Sequence, residues 1–256
     1  MAEGFETITV KRDRALRGLV TITLNRPEKL NAIDFRVHAE LQEACHALRY
    51  DAGARVVILT GAGRAFSSGN DLRPARRPRT KGDLEARLRL GDGNRTCDAI
   101  ESLDQVTIAA VNGLAVGGGV ALAAACDLRL AAESAWFSIP EVDLALPLTW
   151  NALPRLMREL GPARTKELVM TCDRFTAQQA LAWGFVNHVH ADGRLMEQAR
   201  MLAAKLLAKD AMAIAATKSA TAALGRAMVP PEATQADREM LLLASLLERR
   251  RRGSDA

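Results

Sequence analysis

Aromatic side chains are scarce in this sequence: one Tyr, three Trp and six Phe make up 4% of 256 residues. The stacking platforms of single-strand nucleic-acid binders need such rings, so that class is disfavoured, and the core has to be aliphatic and alanine-rich. Cysteine is sparse as well. Cys45, Cys97, Cys126 and Cys172 lie far apart with no C-x-x-C pair, which speaks against a disulfide framework or a zinc site and makes a reducing cytoplasm the expected setting. Long apolar runs are missing too. The uncharged stretch around Gly117 to Gly119 is broken by those glycines and by Asn112, and the opening "MAEGFETITV" is charged and alternating, so no membrane span is expected.

What the chain does have is length, an aliphatic core and a modest basic excess of +5, from 35 Lys and Arg against 30 Asp and Glu. The excess sits in "RPARRPR" (Arg73 to Arg79) and "RRRR" (Arg249 to Arg252), which read as solvated surface, with an anionic ligand or nucleic acid as the alternatives. "FETITVKRD" and "GLVTITLNRP" alternate like a β-hairpin ending at Pro27, and a helix is predicted from Ile33 to Arg49. "RVVILTG" and "VTIAAVNG" read as buried strands around a helix from Lys81 to Leu103. "DLRLAAESAWFS" reads as extended. This alternation favours an α/β fold with parallel strands.

From "PRLMREL" onward the pattern is nearly all helical: "GPARTKELVMT", "TAQQALAWG", Leu195 to Ala208, Ala211 to Gly225 and Glu232 to Arg251, with the short apolar "FVNHVH" between. Gly225 is expected to end one helix and Pro230 and Pro231 to bend the chain before the last. The division is a core over 1–195 and a helical region over 196–256.

Chemistry concentrates in two glycine-containing loops. "AVNGLAVGGGVALAAACDLRLA" puts Gly117, Gly118 and Gly119 between a strand and a helix, where backbone can approach a ligand and N–H groups are left over. Tight helix-on-strand packing explains the same glycines without a ligand. No G-x-G-x-x-G or G-x-x-x-x-G-K-[ST] is present. "VVILTGAGRAFSSGNDL" (Val56 to Leu72) likewise runs from a strand into a glycine turn and is expected to enter a helix. One N–H from each loop, aimed at the same oxygen, makes an oxyanion hole.

"LNRPEKLNAID", "GAGRAFSSGNDL", "AAVNGLAVGGGVALAAACDLRLAAESAWFSIPEV" and "RFTAQQALAWGFVNHV" resemble, in order, the blocks of the crotonase (enoyl-CoA hydratase/isomerase) superfamily over about residues 5 to 195. The resemblance implies a ββα spiral core and a helical C-terminal part that joins subunits into a homotrimer or homohexamer, to which Leu241, Leu242, Leu246 and Leu247 contribute apolar positions. It implies an acyl-CoA substrate, no metal and no further cofactor. The hole falls to the N–H groups of Asn70 and Gly118, and the substrate to Ala32, Ser68, Asn70, Asp71, Leu72, Gly117 and Gly118. Arg26, the 73–79 arginines or a basic C-terminal residue are candidates for the CoA phosphates.

By the same resemblance Glu141, in "FSIPEVDLAL", is the acid/base. Asp143 reads as a loop residue, and Asp71 and Asp127 as residues that hold the loops. Ser67 and Ser68 read as turn residues, since none of His38, His46, His188 and His190 is placed by a motif near them. His188 and His190 alternate on one face without a carboxylate motif that would complete a metal site. Hydratases of the family carry a second glutamate where this chain has Ala121, and dienoyl-CoA isomerases need acids at Ala121 and Thr149. Double-bond isomerisation is therefore favoured over hydration, with a decarboxylase, a thioesterase or an inactive acyl-CoA-binding protein as alternatives. "PLTWNALPRL" departs from the family's glycine-rich turn, and Trp150 either shapes the acyl pocket or packs.

Overall fold

The computed structural model describes residues 4–72, 82–234, 236–237 and 239–244. Both arginine runs, Leu246, Leu247 and the end of the expected last helix lie outside them. The N-terminal hairpin forms as β1 (Ile8–Arg12) and β2 (Leu19–Leu24), paired antiparallel. The first long helix, α1 (Phe35–Arg49), starts two residues later than Ile33 because Asp34 caps it, accepting from the Arg36 and Val37 amides. Its Val37, Leu41, Ala44 and Leu48 form the buried stripe that the sequence spacing predicts.

Three units of similar construction follow. Strands β3 (Val56–Gly61) and β4 (Ala65–Ser67) precede α2 (Asp83–Leu90) and α3 (Asp92–Glu101). Next come β5 (Val106–Val111), β6 (Leu114–Val116) and α4 (Gly118–Ala124), then β7 (Leu128–Ala132), β8 (Trp136–Ser138) and α5 (Ala152–Thr171). The first strand of each unit joins a six-stranded sheet and the second a four-stranded one. With β9 (Phe175–Thr176) and β10 (His188–His190) the orders are β1-β2-β3-β5-β7-β10 and β4-β6-β8-β9. From β2 to β10 the large sheet is parallel. The pattern is the expected ββα core.

Several boundaries move for identifiable reasons. The glycine turn after β3 leads into β4, not a helix, because Ala65 and Phe66 are buried and Ala65 pairs with Leu114 of β6. The Lys81 to Leu103 segment divides at Gly91 into α2 and α3. "DLRLAAESAWFS" divides between the sheets as β7 and β8. Gly161 breaks α5 with φ 73° and ψ 169°.

The β9 end is tied to α6 (Ala177–Ala182) by a capping box. The Gln179 amide donates to Thr176 Oγ1 at 3.2 Å and the Thr176 amide to Gln179 Oε1 at 2.9 Å. Helix α7 (Leu195–Leu207) buries Leu195, Ala199 and Ala203. Helix α8 (Ala211–Met228) runs through Gly225, which is tolerated mid-helix, and the chain then enters a 3-10 turn over Pro231–Thr234 in place of a helix from Glu232. It is helical again at Asp237 and over 239–244.

Candidate active site

The two glycine loops meet where the N-terminal ends of α4 and of the β4–α2 connection face each other. Two asparagines set the β3–β4 turn. Asn31, 1% exposed, donates through Nδ2 to the Ala62 and Ala65 carbonyls at 2.9 and 2.8 Å, while its Oδ1 accepts from the Arg26 amide. Asn112 accepts from the Gly61 amide at 3.1 Å and donates to the Gly63 carbonyl at 2.9 Å. Neither role is announced by the sequence; the one available signal is an asparagine beside each loop, Asn31 being a residue type that tolerates its left-handed φ of 55°.

Beyond the turn, Ser67 is fully buried: its hydroxyl donates to the Asn31 carbonyl and accepts from the Gly69 amide. It is a turn residue and not a nucleophile. Asn70 forms a parallel bridge with Ile33, in which the Ile33 amide donates to the Gly69 carbonyl and the Asp71 amide to the Ile33 carbonyl. That pairing leaves the Asn70 amide on the opposite side, and it donates to no carbonyl among the described residues. Gly118, first residue of α4, is in the same position. A Cβ built on Gly69 would stand 3.1 Å from the Gly118 nitrogen and 2.5 Å from the Val116 carbonyl oxygen, which measures how closely the loops approach.

The glycine cluster resolves into three separate close approaches. A Cβ would meet Glu141 Oε1 at 2.6 Å from Gly117, the Trp150 ring at 2.3 Å from Gly118, and the Ser67 carbonyl oxygen at 2.5 Å from Gly119. Gly119 thus serves helix-on-strand packing, while Gly117 and Gly118 face the cavity's two most distinctive side chains.

That cavity measures about 230 Å³ and is lined by Ser68, Gly69, Asn70, Leu72, Val116, Gly117, Gly118, Ala121, Glu141 and Trp150, among others. It therefore brings together Asn70, Gly118, Glu141, Ser68, Leu72 and Gly117. Ala32 and Asp71 stand behind it. The Ala32 carbonyl accepts from Arg26 Nη1 at 2.6 Å, and Asp71 pairs with Arg26 at 3.1 Å and Lys29 at 3.2 Å. Arg26 also pairs with Asp34 at 3.3 Å, so its charge is matched locally. Asp127 accepts from the Thr107 amide and hydroxyl and from Lys218, fastening β5 to α8. The sequence did not single out Leu144, Leu146, Pro147 and Leu148, which form much of the apolar wall.

Glu141 follows β8 and begins a 3-10 turn over Val142–Leu144; its backbone carbonyl accepts from the Leu146 amide at 2.9 Å. Its Oε2 is buried and has no hydrogen-bond partner among the described residues. Burial beside apolar groups pushes its carboxyl up to about 7, an effect that its own backbone amide partly offsets. A carboxyl poised there can take up and return a proton near neutral pH. Asp143, two residues on, does not line the cavity.

His188 and His190 stand with ring centroids 6.0 Å apart on β10, away from this cavity, and among the described residues no group of three His, Cys, Asp or Glu is placed to hold a metal ion. All four cysteines are buried and free, and burial pushes the Cys45, Cys97 and Cys126 thiols up to about 12. Two larger clefts, about 560 and 660 Å³, run beside α8 and contain neither glycine loop. Among the described residues no helix is long and apolar enough to cross a membrane.

On this ββα core two glycine loops face each other, and their Asn70 and Gly118 amides, which donate to no carbonyl among the described residues, stand at the cavity that also holds the buried Glu141 carboxyl. The chain matches the enoyl-CoA hydratase/isomerase family over residues 14–256 and belongs to it. It is 42% identical over 201 residues to carnitinyl-CoA dehydratase of Salmonella typhi, covering 78% of this chain and 75% of that protein. A crystal structure of an enoyl-CoA hydratase/isomerase from Xanthobacter autotrophicus Py2 superposes with a TM-score of 0.84 at 32% identity, covering 94% of this chain and 88% of the other. A monofunctional enoyl CoA isomerase from M. smegmatis does so with a TM-score of 0.73 at 33% identity, covering 86% and 93%.

Proposed function

We propose that the protein moves a carbon–carbon double bond in an acyl-CoA thioester, taking 3-enoyl-CoA to 2-enoyl-CoA. The observation that supports this reading is the pairing of Glu141 with Ala121: among the described residues that line the cavity Glu141 carries the one carboxyl, and the position from which a second acid would serve water addition carries a methyl group. Syn addition of water draws on two carboxylates to orient and deprotonate it, whereas a double-bond shift needs one group that removes a proton and gives it back.

In the proposed reaction the Asn70 and Gly118 amides donate to the thioester oxygen. The Glu141 carboxylate takes a proton from C2, and the electron pair passes into the carbonyl to give a dienolate whose oxygen the two amides hold. The neutral carboxylic acid then returns the proton to C4 as the C2–C3 double bond forms. The proton balance closes and no electron leaves the substrate, so no redox group is called for. The apolar wall keeps water from the dienolate.

Purified protein given 3-enoyl-CoA and trans-2-enoyl-CoA in parallel, beside Glu141→Gln, tests the reading: turnover of the first only, abolished by the substitution, is expected. Hydration of the second at a comparable rate overturns it in favour of a hydratase, a chemistry kindred to that named for the carnitinyl-CoA dehydratase relative. Binding without turnover of either makes the chain an acyl-CoA-binding protein.

The same reading includes assembly as a homotrimer or homohexamer in the cytoplasm. Helix α8 supports assembly, since it buries no residue while Met212, Leu224 and Met228 are 76, 66 and 80% exposed. A mass in solution of three or six chains by light scattering is the expected result.

A further inference from the structure

We propose that Trp150 closes the acyl end of the cavity and restricts the enzyme to short acyl chains, an inference that rests on the acyl-CoA reading and sharpens it. Adjacent glycines face the two groups concerned. Gly117 abuts the Glu141 carboxyl, and Gly118 abuts the benzo edge of the indole, where a Cβ would lie 2.3 Å from Cζ3 and 2.4 Å from Cη2. The ring therefore stands one residue along the backbone from the carboxyl that moves the proton, where an acyl chain leaving the hole has to pass.

The indole is seated in a slot. Its opposite edge lies against Gly93 of α3, where a Cβ would come within 2.1 Å of Cδ1 and Nε1. His38 meets it edge-on, with centroids 4.8 Å apart and planes at 72°, and is itself fixed by a 2.9 Å hydrogen bond between Nδ1 and Thr96 Oγ1. Only 8% of Trp150 is exposed. Two glycines on two helices thus admit a ring that no residue with a Cβ at either place would allow.

The backbone that presents the ring is held at an unfavourable conformation. Trp150 and Asn151 have φ of 65° and 53°, a region that residues other than glycine seldom adopt. The Arg155 guanidinium donates to both their carbonyls, at 3.1 and 3.0 Å, and is anchored by Asp98 and Glu101. The Asn151 side chain is held by Asn94 at 2.7 Å and by Asp98, and its amide donates to Asp237. Strain maintained by this many partners marks a position whose geometry matters to function. These partners fix the backbone that carries the ring, while Gly93, Gly118 and His38 confine the ring itself. Ala121, Leu148, Thr149 and Leu241 complete the chamber, whose 230 Å³ falls below the roughly 300–1,000 Å³ of sites that take drug-sized ligands.

The test uses calorimetric binding of saturated acyl-CoAs of four, eight and twelve carbons to the wild type, Trp150→Ala and Trp150→Phe; saturated chains cannot isomerise, so chain fit is read apart from turnover. In the wild type octanoyl-CoA is expected to bind no tighter than butyryl-CoA. In Trp150→Ala it should bind roughly tenfold tighter or more, because each methylene newly buried is worth about fourfold, and Trp150→Phe should fall between. An unchanged length profile in Trp150→Ala, or wild-type affinity that climbs steadily to twelve carbons, overturns the proposal. If Trp150→Ala does not fold, the Phe variant and the wild-type profile decide. A wild type that binds none of the three removes the acyl-CoA reading and the chamber together. A shifted profile in an enzyme that fails to isomerise leaves the chamber standing.

Discussion

Gly117 and Glu141 occupy each other's space: a Cβ on the glycine would fall 2.6 Å from the carboxyl oxygen Oε1. The glycine's φ of 51° with ψ of −113° also lies outside the regions open to L-residues, so both sterics and backbone select it. Gly117→Ala should push the carboxyl away from the reacting carbon. A displacement of about 1 Å costs on the order of 100-fold in rate, so kcat should fall by that much or more while acyl-CoA binding changes only a few-fold. Equal losses in kcat and in affinity, from steady-state rates beside calorimetry, would point to general disruption instead.

The pH dependence follows from the same carboxyl. Because burial raises Glu141 of the ligand-free protein to about 7, the ionised form that abstracts a proton becomes the major one only above neutrality, and kcat/KM should rise with pH through a midpoint near 7. Stability runs the other way. The folded state holds the proton more tightly than the unfolded chain, so stability contributed by this group is full below the ordinary carboxyl value of 4.5 and is lost as pH climbs to about 7. Glu141→Gln should therefore be more stable than the wild type at pH 8, by about 1–3 kcal/mol, with the difference vanishing near pH 5. Denaturant titration at both pH values checks the sign.

The hole is addressed through a residue that does not donate to it. A Cβ on Gly69 would stand 2.5 Å from the Val116 carbonyl oxygen and 3.1 Å from the Gly118 nitrogen, so Gly69→Ala should prise the two loops apart and move both proposed donors. Loss of one such donor costs about 3–4 kcal/mol of barrier, so a fall in kcat of at least 100-fold is expected with Glu141 still in place. If the variant keeps its cooperative melting and its full rate, the oxyanion assignment to Asn70 and Gly118 is wrong.

Much of this was legible in the sequence because the signals were local. Alternation marked β1 and β2, short continuous apolar runs marked β3 and β5, and the two glycine loops stood out by composition. The small sheet was harder, since β4, β6 and β8 have three residues each and owe their existence to one another and not to propensity. The clamps formed by Asn31 and Asn112 were invisible for the same reason: the β3–β4 turn residues they hold lie 31 or more residues away in sequence. The wall from Leu144 to Leu148 depends on a turn that puts Ala145 at φ 55°, a geometry usually advertised by glycine. Trp150 read as either packing or pocket, and its contacts with Gly93 and Gly118 show that it is both.

Ala121 offers a gain-of-function test. Its side chain is 1% exposed, on α4 three residues after Gly118, and lines the same cavity as Glu141. Ala121→Glu would supply the second carboxyl that water addition draws on, so hydration of trans-2-enoyl-CoA should rise by at least tenfold over the wild type. The new acid enters an apolar wall, which raises its own titration and costs about 1–3 kcal/mol of stability, so the gain should appear mainly above pH 7. Isomerisation should survive, because Glu141 and both amides are untouched. A variant that folds and isomerises but hydrates no faster at any pH would show that the missing acid is not what limits hydration here; the turn that carries Thr149 and Trp150, which closes the other side of the chamber, would then be the element to change.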